Sequence, residues 1–213
     1  LPVTVKHRIG IDRAEDYGFM RDFVGTLADR GGCRVFVVHA RNAWLQGLSP
    51  KENRELPPLR YALVHRLKVE FAHLTIVLNG GVADDTAIHT QLAQVDGVMV
   101  GRHAYHDPFA MATWDRDFFG AITTVPDRDT VEQQFVAYMA RITAQGVPWW
   151  HAARHMLGLR HGQPGARRWR QVWSDHRLKD QTPQHVYGLA MDALHAAPAP
   201  APAPAPASTS ALA

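Results

Sequence analysis

Four short apolar or β-branched runs punctuate the first hundred residues: Val3 to Val5, Val35 to Val38, Leu74 to Leu78 and Gly97 to Val100. None alternates cleanly between apolar and polar positions, which is the pattern of strands buried on both faces of a parallel sheet. Between the runs the apolar spacing changes to three and four residues, the period of a helix. Phe19, Met20, Phe23, Val24 and Leu27 share one face over Tyr17 to Ala28. Leu59, Leu63, Val64, Leu67 and Phe71 do the same over the next segment, and Asp84-Asp85-Thr86 opens a third helix carrying Ile88, Leu92 and Val95. Strand starts about 20 to 40 residues apart suit successive βα units, so the fold class is α/β. Two architectures fit: four strands of a (β/α)8 TIM barrel, or an open four-stranded domain complete in itself.

After Gly120 the pattern becomes wholly helical. Helices are predicted over Thr130 to Gln145, Trp150 to Gly158 with its continuation, Ala166 to His176 and Thr182 to Leu194. Residues 1–125 therefore read as one domain, 126–195 as a small helical domain, and 196–213, where proline alternates with alanine before Ser208-Thr209-Ser210, as a disordered tail. From Arg141 to Lys179 there are eight basic residues and one acid, Asp175, interleaved with Trp149, Trp150, Trp169 and Trp173. A basic helical face favours a phosphate backbone. The tryptophans are better explained as the core of this domain than as platforms for bases.

Composition narrows the class further. The 213 residues hold 23 Lys and Arg against 20 Asp and Glu, and 46% are hydrophobic, enough for a core. No apolar run is long enough to span a membrane. The single cysteine, Cys33, excludes an internal disulfide or a multi-cysteine metal site and points to the reducing cytoplasm. The chain enters directly on strand-like sequence, with neither an initiating methionine nor the features of a signal peptide, and this predicts a fragment of a longer protein.

Each strand ends in polar residues: Lys6-His7-Arg8, His39-Ala40-Arg41-Asn42, Asn79-Gly80-Gly81 and Gly101-Arg102-His103. In a parallel sheet these lie along one rim, where barrel enzymes place their sites. Gly-Gly lets an anion approach backbone N–H groups, and Gly-Arg adds a fixed bidentate cation. Because barrels grip phosphate after strands seven and eight, the four strands number five to eight, making this the C-terminal half of the barrel. Lys6 and His39 then point at one ligand from neighbouring strands, and the set fits a phosphorylated aromatic cofactor such as flavin mononucleotide (FMN). A phosphate-binding barrel isomerase or synthase, or a non-catalytic RNA-binding module, are the competing readings. His151 and His155 have the i, i+4 spacing of helical metal ligands but lack a third partner, and His103 and His106 receive no role.

The stretches Val5 to Asp12, Val38 to Arg54, Leu78 to Gly81, Val98 to Arg102 and Pro164 to Arg170 resemble the tRNA-dihydrouridine synthases, specifically the DusA subfamily. The resemblance runs from Pro2 to about Leu194, and the run from His39 to Arg54 is its most specific part. It implies a flavin barrel followed by a helical tRNA-binding domain that reduces uridine at positions 20 and 20a of the tRNA D-loop to 5,6-dihydrouridine. NADPH serves as reductant, and a full-length enzyme is expected to act as a monomer. By resemblance Lys6, His39, Asn79, Gly80, Gly81, Gly101 and Arg102 bind FMN, whereas Lys51, Arg54, Arg167 and Arg170 contact tRNA. The family's proton-donating cysteine sits in an Asn-x-Gly-Cys-Pro setting after strand four, which this sequence lacks. Cys33 precedes the second strand, at the opposite rim, so the general acid is expected upstream of Leu1 and this chain alone is expected to be inactive.

Overall fold

The computed structural model describes residues 1–13 and 16–196; the alanine-proline tail expected over 196–213 lies, apart from Ala196, outside the described residues. Two compact units divide at Tyr105/His106. The first is built as β1 (Thr4–Arg8), α1 (Tyr17–Asp29), β2 (Val35–His39), α2 (Glu52–Glu55), α3 (Tyr61–Glu70), β3 (Thr75–Asn79), α4 (Asp85–Leu92) and β4 (Gly97–Met99). The strands form one sheet in the order β1-β2-β3-β4. All pairs are parallel, so each crossover carries a helix, as the alternation of periods predicted. Asp16 and Asp84 start α1 and α4 by accepting from Gly18 N (3.0 Å) and Ala87 N (2.7 Å), satisfying N–H groups that the first helical turn leaves unpaired.

One face of the sheet is packed and the other is not. Phe36, Val38, Ile76 and Leu78 are fully buried, as are Met20 and Val24 of α1 and Val64 and Leu67 of α3. Each such side chain contributes roughly 1.5–3 kcal/mol of burial. His7 belongs to this packed face, its ring 5.1 Å from that of Phe23. On the opposite pleat Thr4, Lys6 and Thr75 are exposed and Val35, Val37 and Val77 are only partly covered. The expectation of strands buried on both faces is therefore corrected: the β-branched composition is that of a doubly covered sheet, but among the described residues helices cover one side.

The division falls near the end of α5 (Arg102–His106); the second unit then holds a 3-10 turn at Pro108–Thr113 and α6 (Trp114–Phe119), followed by α7 (Arg128–Ala144), α8 (Trp150–Ala153), α9 (Ala166–Trp173) and α10 (Pro183–His195). The change in composition sets the sequence boundary at 125/126. The compact unit starts earlier because Phe109 packs on the helical core, with the Arg128 guanidinium 3.9 Å from the centre of its ring. The helix expected from Trp150 to Gly158 stops at Ala153, and hydrogen bonds then run to the third preceding residue, as in Met156 N–H to Ala153 O (3.0 Å). Gly158 lies so close to the His106 carbonyl that a Cβ would sit 2.2 Å from its oxygen. His151 and His155 are consequently not on one helix, and among the described residues no group of three potential metal ligands occurs. The expected Ala166 to His176 helix likewise ends at Trp173, where Asp175 starts a 3-10 turn by accepting from Arg177 N–H (2.9 Å).

The core of this unit is built around a buried carboxylate. Glu132 is 0% exposed and accepts from Arg160 Nη2 (2.6 Å) and Nε (3.0 Å), and from the indole N–H groups of Trp169 (2.7 Å) and Trp173 (3.3 Å). Arg160 also donates to Asp129 (2.5 Å). Trp149, Trp169 and Trp173 are core residues, as their helical spacing predicted. Arg160, counted in the sequence as part of a basic face, is 6% exposed and belongs to the interior. Removing one partner of such a pair strands a desolvated charge. Glu132→Ala is expected to destabilise the helical unit by about 3–5 kcal/mol, measured by urea unfolding followed by tryptophan fluorescence; a loss below about 1 kcal/mol would show the pair to be dispensable.

Candidate cofactor and tRNA site

Strand register decides which side chains meet at the C-terminal rim. Arg8 pairs with His39, His39 with Asn79, and Asn79 with Met99, forming one row across the sheet. Lys6 pairs with Val37, one pleat earlier. Because side chains two residues apart share a face, Lys6 and Arg8 lie on the same side as His39. The expected convergence of Lys6 and His39 is met with an offset of two residues, and the position directly across from His39 belongs to Arg8. Arg8 lay in the strand-end motif but received no role; the two-residue alternation from Lys6 was the signal for it.

His39 sits where four cations converge. Burial first, and then Arg8, Lys6, Arg41 and Arg102, bring its pKa down to about 4, so the imidazole is neutral at physiological pH. Its Nδ1 is buried and has no hydrogen-bond partner. Arg8 and Arg41 are themselves pulled below the usual arginine value, first by burial and then by neighbouring arginines. A rim with this balance attracts an anion.

The turn after β3 packs closely on its neighbours and has room only for glycine. Gly80 and Gly81 have φ of 110° and 71°, and a Cβ on Gly81 would come within 2.4 Å of Leu59. Tyr61, at the start of α3, donates its hydroxyl to Gly80 O (2.8 Å) and fixes the turn. Asn79 ties β3 to β4 by donating Nδ2 to Met99 O (2.7 Å). Around Gly101 a Cβ would meet nothing within 4 Å, so the last turn borders open space. Arg102, expected to add a fixed bidentate cation, donates to Glu55 (2.8 Å). Both partners are about half exposed, 53% and 43%, and such a pair contributes about 0–1 kcal/mol.

Lys51 and Arg54 are exposed on and beside the short α2, which the loop after β2 carries over the rim. That loop is tied to the loop after β1 by a parallel bridge between Ile11 and Ala43 and by Leu45 N–H to Asp12 Oδ1 (2.8 Å). Cys33 lies at the other end of the strands: it is buried, and its thiol donates to Val3 O (3.6 Å) and Val35 O (3.5 Å).

In the helical unit, the Pro164-to-Arg170 segment divides its work residue by residue. Gly165, at φ 78°, leaves no room for a Cβ against Leu194 O; Ala166 and Trp169 enter the core; Arg168 donates to Ala193 O (2.8 Å) and Ala196 O (2.6 Å), closing the end of α10. Arg167 is exposed and Arg170 half-buried on the same helix. Of the other basic residues counted in the sequence, Arg177 is paired with Asp175 (2.7 Å) and Lys179 lies 5.3 Å from the Trp150 ring centre.

The unfolded chain protonates histidine near 6.5, whereas folded His39 waits until about 4. The stability that depends on neutral His39 is thus complete above pH 6.5 and lost as pH falls toward 4. An NMR titration should place the His39 midpoint near 4; a midpoint at the ordinary 6.5 would show the cation cluster to be absent in solution.

Residues 1–195 match the family described as Dihydrouridine synthase (Dus). The tRNA-dihydrouridine(20/20a) synthase of Salmonella typhi is 49% identical over 179 residues, 84% of this chain and 54% of that protein. The protein of the same name from Escherichia coli strain K12 is 48% identical over 84% of this chain and 52% of its own length. That of Vibrio parahaemolyticus is 44% identical over 198 residues, 93% of this chain and 60% of its own. The chain thus spans roughly half the length of the curated relatives it matches. With the resemblance of its motifs now joined by a family match over both structural units, the chain belongs to the dihydrouridine synthase family.

Proposed function

We propose that this chain is the C-terminal part of a flavin-dependent tRNA-dihydrouridine synthase, comprising strands five to eight of a (β/α)8 barrel and the helical tRNA-binding domain that follows. The observation that carries this reading is the rim itself: an unpartnered, neutral His39 between Lys6, Arg8, Arg41 and Arg102, beside the Gly80-Gly81 turn. The residues fit FMN. The Gly80-Gly81 turn and Arg102 would hold its phosphate and His39 and Lys6 would serve its ring system, with Asn79 fixing the strand end and open space beside Gly101. When bound, FMN supplies the hydride that reduces the uracil ring, after NADPH has reduced it. Lys6, as a cation beside the electron-accepting ring, stabilises negative charge there. His39, uncharged, offers a hydrogen bond that needs no proton uptake.

Lys51, Arg54, Arg167 and Arg170 hold the tRNA backbone, and the target base is unstacked to meet the flavin. Exposed Lys51, Arg54 and Arg167, with half-buried Arg170, favour a nucleic-acid substrate over the small metabolite of a barrel isomerase. The general acid is a cysteine outside this sequence, since Cys33 is buried at the opposite strand ends. On this reading the full enzyme acts on uridines 20 and 20a of tRNA as a cytoplasmic monomer.

The isolated chain is expected to retain little or no flavin and to leave unmodified tRNA unreduced; tightly bound flavin with dihydrouridine formation would overturn its assignment as an inactive part. It is also expected to bind tRNA in a salt-dependent manner. Arg167→Ala with Arg170→Ala should weaken that binding and lower the slope of log Kd against log salt by about 1–2, since each phosphate contact contributes about 0.7–0.9. Unchanged binding in a filter or fluorescence titration would remove the helical unit from the interface.

A further inference from the structure

Lys51 and Arg54 stand on a helix of four residues, Glu52–Glu55. An isolated helix needs about 12 residues or more to be even marginally stable, so something other than its own hydrogen bonds must hold it. A capping box contributes locally: Ser49 N–H donates to Glu52 Oε2 (2.8 Å), and Glu52 N–H to Ser49 Oγ (3.3 Å). These contacts stay within the loop and do not attach it to the sheet.

Arg41 donates to Glu55 O (3.0 Å) and Arg102 to Glu55 Oε1 (2.8 Å), and a third attachment runs through Asn53, which lies between the two exposed cations in sequence but is itself half-buried. Its side-chain oxygen accepts from Trp44 N–H (2.9 Å) and from Arg8 Nη1 (3.1 Å), while its Nδ2 donates to Trp44 O. Both lone pairs of the amide oxygen and one amide proton are thereby used. Arg8 donates in addition to Asn53 O (2.8 Å) and Asn42 O (2.7 Å). The result is a continuous polar connection from the sheet row that contains His39, through Arg8 and Asn53, to the helix that presents Lys51 and Arg54.

We infer that Asn53 is a positioning residue for tRNA recognition: it registers the Lys51/Arg54 helix on Arg8, so that backbone-holding cations stand at a fixed place relative to the His39 rim. This rests on the proposed tRNA-contacting role of that loop. Asparagine is required because aspartate lacks the donor for Trp44 O, alanine lacks all three contacts, and glutamine is a methylene too long to meet both backbone groups of Trp44. Lys51 and Arg54 would keep their charge without the Asn53 side chain, but the ties to Trp44 that fix the register of that charge would be gone, leaving the main-chain contact of Arg8 and the two contacts at Glu55.

The test measures tRNA binding by the whole chain across a salt series. Asn53→Ala should raise Kd about as much as Lys51→Ala with Arg54→Ala, on the order of tenfold, and lower the salt slope by about 1–2 although no charge is removed. Combined in one triple variant, the substitutions should be non-additive, Asn53→Ala adding nothing once both cations are gone. Binding by Asn53→Ala equal to wild type, or a full additive loss in the triple variant, overturns the positioning role. If Lys51→Ala with Arg54→Ala itself leaves binding unchanged, the tRNA assignment of the loop falls, and the positioning role with it. Should Asn53→Ala lower the unfolding temperature by more than a few degrees, Asn53→Gln replaces it. That variant keeps the amide and adds no charge but is a methylene too long to meet both backbone groups of Trp44, and it should show an intermediate Kd with unchanged unfolding; wild-type affinity in it would overturn the role.

Discussion

Parallel, in-register pairing is the constraint on which the site depends. With all four strands running the same way, every strand end falls on one rim, and the register sets Arg8, His39, Asn79 and Met99 side by side. Neighbouring strands stand about 4.8 Å apart, so polar side chains distant in sequence are forced within Coulombic reach. The desolvated histidine at the centre responds by giving up its proton, which spares the row a further positive charge. An anion bound here meets preformed cations and a neutral ring, so binding requires no proton uptake.

The same chain handles its arginines in two opposite ways. In the helical unit Arg160 is spent inside, matched to Glu132, which also accepts from two indole donors. Glu132 ties α7 to α9 and to the turn that carries Arg160, one carboxylate oxygen accepting from both indoles and the other from the guanidinium. At the rim, the charge of Arg8, Arg41 and Arg102 exceeds that of Glu55, the acid paired there. Burying charge is tolerable only with a matched partner, whereas an excess of one sign at an open edge serves recognition. Charge counting alone cannot separate these uses, and for this reason the run of eight basic residues overstated the basic face.

The most specific motifs mix scaffold and contact residues. Within His39 to Arg54, Asn42, Trp44 and Asn53 shape the loop while Lys51 and Arg54 remain exposed; within Pro164 to Arg170, Gly165, Ala166, Arg168 and Trp169 build the domain and Arg167 and Arg170 are left over. Such interleaving follows from geometry. A loop that presents cations at a fixed position must devote neighbouring residues to holding itself in place, since loop backbone has no ladder to satisfy it.

Much of this was legible from residue order. Hydrophobic period distinguishes strand from helix because Cβ direction repeats every 2 or 3.6 residues, and so the four strands and α1, α3, α4, α7 and α10 emerged within a few residues of their observed ends, whereas the short α2 did not. The polar strand ends and the isolation of Cys33 followed from that order alone. Tertiary structure decided the rest: that Arg8 rather than Lys6 lies across from His39, that Arg102 leans on Glu55, that Arg160 is interior, and that the chain after Ala153 abandons the α-helix. Each depends on a contact between residues tens of positions apart or on the room left by a neighbouring backbone. Periodicity reports which way a side chain points along its own element; what it meets there is set by the elements packed against it.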